Sequence, residues 1–165
     1  MRIGSIGGSS IGKAVAKGEG KVRKQLLYDM TGEILSGEKK EAFRTIHMEE
    51  GLKYEDEARS LYAFRMDVEV EQVAMYKDGP YKHTSPDGIV GADGMIEIKT
   101  VIPSVYVESK LTGKIPTAYR KQMMWGLKRS GRVWCDYSVF CPYVKEIDPL
   151  MVIRVQRDEK EIAEL

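Results

Sequence analysis

The stretch Ser85-Pro86-Asp87-Gly88-Ile89-Val90-Gly91-Ala92-Asp93-Gly94-Met95-Ile96-Glu97-Ile98-Lys99 holds two short apolar runs separated by Gly91-Ala92-Asp93-Gly94. A strand around Ile89 and Val90 and another over Met95 to Val101 are predicted to pair as a hairpin, because Gly and Asp supply the backbone freedom a tight reversal needs. Side chains alternate along a strand, so Glu97 and Lys99 project from one face while Ile96 and Ile98 go to the other. The hairpin brings Asp87 beside Glu97. Carboxylate oxygens are hard donors that suit Mg²⁺, a cation that keeps several waters and can hold a phosphate at the same time. Lys99 fits beside an attacking water or a phosphate oxygen. Phosphodiester hydrolysis needs these parts together.

Upstream, Tyr54 to Phe64 is predicted to be a helix, with Ala58, Leu61 and Tyr62 at core spacing and Glu55 one turn before Arg59. Val68 to Met75 then alternates with the period of a strand, and Lys77-Asp78-Gly79-Pro80 turns the chain into a further strand near Tyr81 to Ser85. Nearer the start, Gly7-Gly8-Ser9-Ser10 predicts a helix that a serine caps and that runs through Ala14, Val15 and Ala16. Tyr28 to Leu35 is helical in character. Downstream, Tyr119 to Arg129 reads as a helix, and Trp134 to Phe140 and Met151 to Val155 as strands. Helices, a meander, a helix, then strands predict an α+β fold with mixed α/β layers rather than repeated βαβ units. The chain has no internal repeat or long linker, and residues 1–165 are expected to form a single domain.

Composition bounds the function. A chain of 165 residues with 42% apolar and 31% charged residues can bury one sizeable core. The 8% aromatic share, 16 Gly and 6 Pro exclude collagen-like and low-complexity classes. Cys135 and Cys141 are too few for a disulfide scaffold, a zinc site or an iron-sulfur cluster, so free thiols in a reducing cytoplasm are expected. No apolar run reaches the roughly 18 residues of a membrane helix, and no membrane partner is expected. The formal charge of +1 argues against a chain that grips nucleic acid by being basic throughout. That total conceals opposed blocks. Lys and Arg outnumber acids 6 to 1 over residues 1–24 and 9 to 2 over 98–145, whereas acids lead 16 to 8 over 29–97. The acidic block supplies the carboxylates for metal, and the basic blocks are available to phosphates.

Pro86-Asp87, a spacer and Glu97-Ile98-Lys99 form a PD-(D/E)XK nuclease signature. Gly51 followed by Glu55-Asp56-Glu57-Ala58-Arg59, the element Ser85-Pro86-Asp87-Gly88, the pair Tyr119-x-x-Gln122, and Arg2-Ile3-Gly4 followed by Ser9 stand in the same order as the motifs of the lambda exonuclease / YqaJ family of phage recombination nucleases, which the chain resembles from Arg2 to about Pro142. The resemblance implies a restriction-endonuclease-like core with a central mixed sheet flanked by helices. It implies that Asp87, Glu97 and the backbone carbonyl of Ile98 bind Mg²⁺, one or two ions, with Mn²⁺ able to substitute. Glu55 would be a further metal or water ligand, and Lys99 would position or activate the hydrolytic water. Gln122 and Tyr119 would support the site and the substrate strand, and Arg2 and Ser9 would bind the 5′-phosphate of a DNA end. The family degrades one strand of linear duplex DNA from 5′ to 3′, its lambda-type members as homotrimeric rings, with a single-strand annealing protein as partner.

Other readings of the same residues are weaker. Gly7-x-x-x-x-Gly12-Lys13 has most of a P-loop, but Ala14 stands where a hydroxyl would meet Mg²⁺, and a helix start explains the glycines. Glu55 read alone is an exposed helix carboxylate paired with Arg59, Asp87 a turn residue, and Glu97 with Lys99 a charge pair on a strand. Asp93 is expected in a turn, His47 and His83 as surface or satisfied histidines, and Trp125, Trp134, Met123 and Met124 in the core. The competing functions are a PD-(D/E)XK endonuclease of restriction or repair type and a non-catalytic DNA-binding module of the same fold. Met1 directly precedes Arg2, where family members usually carry a further segment containing a tryptophan. Catalysis is therefore expected to persist more securely than the ring and its processivity.

Overall fold

The computed structural model describes residues 3–17, 20–39 and 46–165. Three helices, α1 (Gly8–Ala14), α2 (Lys21–Ser36) and α3 (Ile46–Met66), lead into a small ribbon of β1 (Tyr76–Lys77) and β2 (His83–Thr84). The hairpin β3 (Gly88–Val90) and β4 (Gly94–Thr100) follows, then α4 (Pro103–Thr112), α5 (Thr117–Ser130), β5 (Trp134–Phe140), β6 (Leu150–Gln156) and α6 (Glu159–Ala163). The main sheet runs β3-β4-β5-β6. β4 and β5 are parallel and the outer pairs antiparallel, which makes the sheet mixed. Parallel neighbours cannot be joined by a tight turn, and α4 with α5 supplies the crossover between them.

Alternation along the strands divides the core between the two faces of the sheet. Met95, Cys135, Tyr137, Val139 and Val155 pack with Met123, Met124 and Leu127 of α5, Tyr106 of α4 and Ile162 of α6. Ile96, Ile98, Phe140 and Leu150 pack with Ala58 and Tyr62 of α3. The result is a layer of helix on each side of one sheet, the α+β arrangement expected from the sequence. Among the described residues no helix is long and apolar enough to cross a membrane.

The second face also buries a charge. Asp136, fully buried on β5, accepts from Tyr62 Oη at 2.7 Å and from Arg154 Nε and Nη2 at 2.8 and 2.9 Å. The Arg154 guanidinium lies 3.7 Å from the centroid of the Trp134 ring. That ring also covers Gly94, where an added Cβ would sit 2.1 Å from a ring carbon. Gly94→Ala is expected to lower stability by about 1–3 kcal/mol, because a ring held between backbone and guanidinium cannot yield cheaply. Chemical denaturation of the two proteins checks this, and an unchanged midpoint would count against the close approach.

Two expectations from sequence need correction, and one helix was not expected. Val68 to Met75 is not a strand. It is an extended segment joined to the sheet at one point, where Glu71 and Ile89 exchange backbone bonds of 3.0 and 2.8 Å. β3 is too short to template a longer ladder, and the segment instead presses Val68 and Val70 onto the core beneath α3. The N-cap of α1 is Gly7 with no side-chain bond, so Ser9 lies inside the first turn rather than capping it, and Val15 is already the C-cap. Residues 103–112 carry a helix that the β-branched run Val105-Tyr106-Val107 disguised. Its signals were Pro103 in the first turn and Gly113 at the end, the latter at φ 59°.

Candidate active site

β3 pairs with β4 only from Val90 to Gly88, whose partners are Gly94 and Ile96. Beyond that point the β4 edge carries no further strand among the described residues. Asp87 continues the pairing by one residue through its own N–H, which donates to the Ile96 carbonyl at 3.2 Å, and its Oδ2 then accepts from the Ile98 N–H at 2.6 Å. N–H and C=O of one residue in an extended strand point the same way, so the Ile98 carbonyl also faces this edge. Asp87, Glu97 and the Ile98 carbonyl therefore meet where β3 stops.

Glu97 lies on the α5 face, 3% exposed. Its Oε1 accepts from Lys99 Nζ and from Gln122 Nε2, each at 2.5 Å. The Lys99 ammonium sits 4.9 Å from the ring centroid of Tyr119, whose ring packs at 5.9 Å on that of Tyr137. Tyr119 and Gln122 are one turn apart on α5, which is why both reach a single strand. Two placements expected from sequence thus converge on Glu97 and Lys99. Tyr137 went unnoticed because nothing distinguishes its residue type from the apolar run of β5.

Burial governs the electrostatics. Asp87 is pushed up to about 7, first by burial and then by the neighbouring charge of Glu97, against the opposing pull of the Ile98 N–H, Lys99 and Arg59. Burial likewise raises Glu97, although Lys99 holds it down. Burial alone would lower Lys99, but the attraction and hydrogen bond of Glu97 outweigh it, so the ammonium is held charged. Glu55 is raised by burial and by Asp87.

Glu55 sits on α3 with its carboxylate paired to Arg59 and within electrostatic reach of both Asp87 and Glu97. Among the described residues no three acidic, His or Cys side chains form a ready-made metal cage. The donor set is a pair of crowded carboxylates and a main-chain carbonyl. It fits Mg²⁺, which binds through one or two carboxylates and keeps its waters, and a dication there would relieve the repulsion that raises Asp87.

Ser9 is exposed in the first turn of α1. Its neighbour Gly8 lies against Gln122, where an added Cβ would be 3.0 Å from Cγ, so α1 stands at the α5 side of the site. The segment before α1 is tied to the ribbon by the Ile6 N–H on the Tyr81 carbonyl and the His83 N–H on the Ile6 carbonyl. Arg2 lies outside the described residues. His83 is buried against Ser5 at 3.0 Å, Trp125 donates to the His83 carbonyl, and Met123 and Met124 fill the core. A separate cleft lined by Val15, Lys17, Arg120, Glu161 and Leu165 holds none of the site carboxylates, and its Arg120 is bonded to both oxygens of Glu161.

A family model described as the YqaJ-like viral recombinase domain matches residues 1–132. The crystal structure of an alkaline exonuclease, LHK-Exo from Laribacter hongkongensis, superposes with a TM-score of 0.90 at 27% identity, over 99% of this chain and 82% of that one. The same enzyme in complex with dAMP gives the same TM-score and identity, over 99% and 83% of the two chains. A phage-related exonuclease from Haemophilus somnus 129PT shares the fold, with a TM-score of 0.72 at 13% identity over 97% of this chain and 87% of that one. No curated protein matches.

Proposed function

The chain belongs to the YqaJ-like viral recombinase domain family, and from that membership we propose that it is a Mg²⁺-dependent exonuclease that degrades linear double-stranded DNA from 5′ to 3′ in phage-type recombination or end processing. The coarser part follows from the family and its alkaline exonuclease neighbour, namely that the chain is a DNA exonuclease. The observation that carries the finer reading is the meeting of Asp87, Glu97 and Lys99 where β3 ends and the β4 edge opens.

Asp87, Glu97 and the Ile98 carbonyl would hold the cation, with Glu55 as a further ligand. Mg²⁺ bound there would supply Lewis acidity toward a phosphate oxygen, and Mn²⁺ would do the same. Lys99 does the orienting. Held charged by Glu97, it cannot take a proton, so its role is to fix the attacking water and offset charge on the phosphate. The water oxygen bonds to phosphorus as the bond to the 3′ oxygen breaks, the water giving up a proton to solvent and the departing 3′ oxygen taking one from solvent, which leaves a 5′-mononucleotide and a strand with a new 5′ end. The dAMP complex of LHK-Exo supports a product of that class. Gln122 holds Glu97 in place, while Tyr119 packs under Lys99 and borders the substrate strand. Arg2 and Ser9 would receive the terminal 5′-phosphate. We also propose the homotrimer and the single-strand annealing partner that the resemblance implies.

Incubation with 5′-phosphorylated linear, 5′-hydroxyl linear and covalently closed circular duplexes, with Mg²⁺ present or chelated, tests the reading. Mononucleotide release from linear DNA, fastest on phosphorylated ends and absent with chelator, is expected. Rapid cutting of closed circles would replace it with an endonuclease.

A further inference from the structure

The Arg59 guanidinium touches three parts of the site region, and the Gln72 amide oxygen, in the orientation that satisfies that amide, accepts from Nη1 and Nη2 as well, at 2.6 and 3.0 Å. Nε donates to the main-chain carbonyl of Asp87 at 2.8 Å, Nη1 pairs with Asp56 at 2.5 Å, and Nη2 pairs with Glu55. Two of these partners belong to its own helix, and the third lies 28 residues further along the chain. Arg59 is 8% exposed, whereas the Asp56 side chain is 88% exposed. A pair that served only the surface of α3 would require neither that burial nor the bond to Asp87.

The guanidinium is planar, with its donors in a fixed fork. Once Nε is anchored on the Asp87 carbonyl, the direction of Nη2, and with it the place of the Glu55 carboxylate, is set by one rigid plane. Asp87 is pinned three times, by its own N–H on the Ile96 carbonyl, by Arg59 at its carbonyl and by the Ile98 N–H at its carboxylate. Asp56, standing in solvent, gives the fork a second anion.

We propose that Arg59 is the positioning residue of the cation site: it fixes the main chain of Asp87 and presents Glu55 at a set distance from it, and Asp56 keeps the guanidinium paired when Glu55 turns to the cation. The proposal rests on the reading of Asp87 and Glu97 as the cation site. Its residues are not merely near one another. They are joined through a single side chain that bridges α3 and the start of the hairpin.

Mn²⁺ binding measured by calorimetry on the full chain tests it, with Arg59→Lys, Arg59→Met and Glu55→Gln beside the unaltered protein. Arg59→Lys keeps charge and stem but loses the fork, and is expected to fold and to weaken Mn²⁺ binding by about tenfold, the range seen when a group that orients a metal ligand is removed. The Mg²⁺ concentration for half-maximal exonuclease activity should rise in proportion, with KM for DNA within about twofold and the rate regained at saturating Mg²⁺. On the Glu55→Gln background the effect of Arg59→Lys should shrink, since one of the groups it places no longer binds. Lower melting temperatures in both Arg59 variants with an unmoved Mn²⁺ isotherm would overturn the proposal and leave Arg59 as an anchor of α3. Asp87→Asn separates the underlying reading: Mn²⁺ bound as tightly as by the unaltered protein would put the cation elsewhere and remove both assignments.

Discussion

Lys99→Ala and Glu97→Ala are each expected to lower the exonuclease rate on linear duplex by at least ~10²–10³-fold, the loss that follows removal of one preorganised group from a reacting centre. Lys99 is the only cation within bonding distance of Glu97 among the described contacts, and Gln122 alone would then remain on that carboxylate. Loss of Lys99 would act twice at the proposed site: the water and phosphate would lose their donor, and the buried Glu97 would lose the charge that opposes the upward push of burial on its carboxyl. Lys99→Ala should therefore weaken Mn²⁺ binding as well as turnover, whereas Lys99→Arg should retain the charge and part of the affinity but place a flat fork where a compact ammonium fits. Glu97→Gln removes a proposed ligand and keeps the side-chain shape, so its melting temperature should stay near that of the unaltered chain while activity is lost. Initial rates of nucleotide release at saturating Mg²⁺ decide the matter. Activity unchanged in both Ala variants would remove Glu97 and Lys99 from the site.

How far such a site could be read from the sequence depends on the range of the interaction involved. Glu97 and Lys99 share a face because of a two-residue period, and Asp87 reaches Glu97 through a turn of a few residues, so local rules place all three. Tyr119 and Gln122 were marked by the family resemblance alone; helical spacing explains why they share a face, but their arrival at β4 depends on a crossover whose first helix, α4, was hidden by β-branched residues. Val68 to Met75 has the alternation of a strand and the half-burial of one, but lacks a partner long enough to pair with. Period reports burial, and a ladder also needs a neighbour. Arg59 marks the limit. Its bond to Glu55 is legible as an i, i+4 pair, while its bond to the Asp87 carbonyl exists only once α3 has been laid across the sheet. Asp136 is a similar case: a charge in the middle of an apolar run is acceptable only because Tyr62 and Arg154 arrive from elsewhere.

The crowded carboxylates also set how stability responds to pH and to metal. Asp87, with a folded value up to about 7 against an unfolded value near 4, holds its proton in the folded chain over a range in which the unfolded chain has released it. Glu97 and Glu55 shift in the same direction. A raised carboxylate contributes stability that is fully present below the unfolded value and is lost as pH rises through the folded one. The metal-free protein is therefore expected to lose stability between about pH 4 and pH 7, by on the order of 2–4 kcal/mol from Asp87, and to lose little more from this source above that range. Mg²⁺ or Mn²⁺ should reverse the loss, because a cation favours the ionised pair and binds only the folded chain. Melting curves recorded with chelator and with excess metal should accordingly differ by several degrees at pH 8 and hardly at pH 5. Asp87→Asn removes the group whose ionisation is opposed, so in chelator it should be more stable than the unaltered chain at pH 8 and should gain less from metal. Equal stabilisation by metal at both pH values, or an Asp87→Asn protein that responds to metal like the original, would mean that the cation is not meeting these carboxylates.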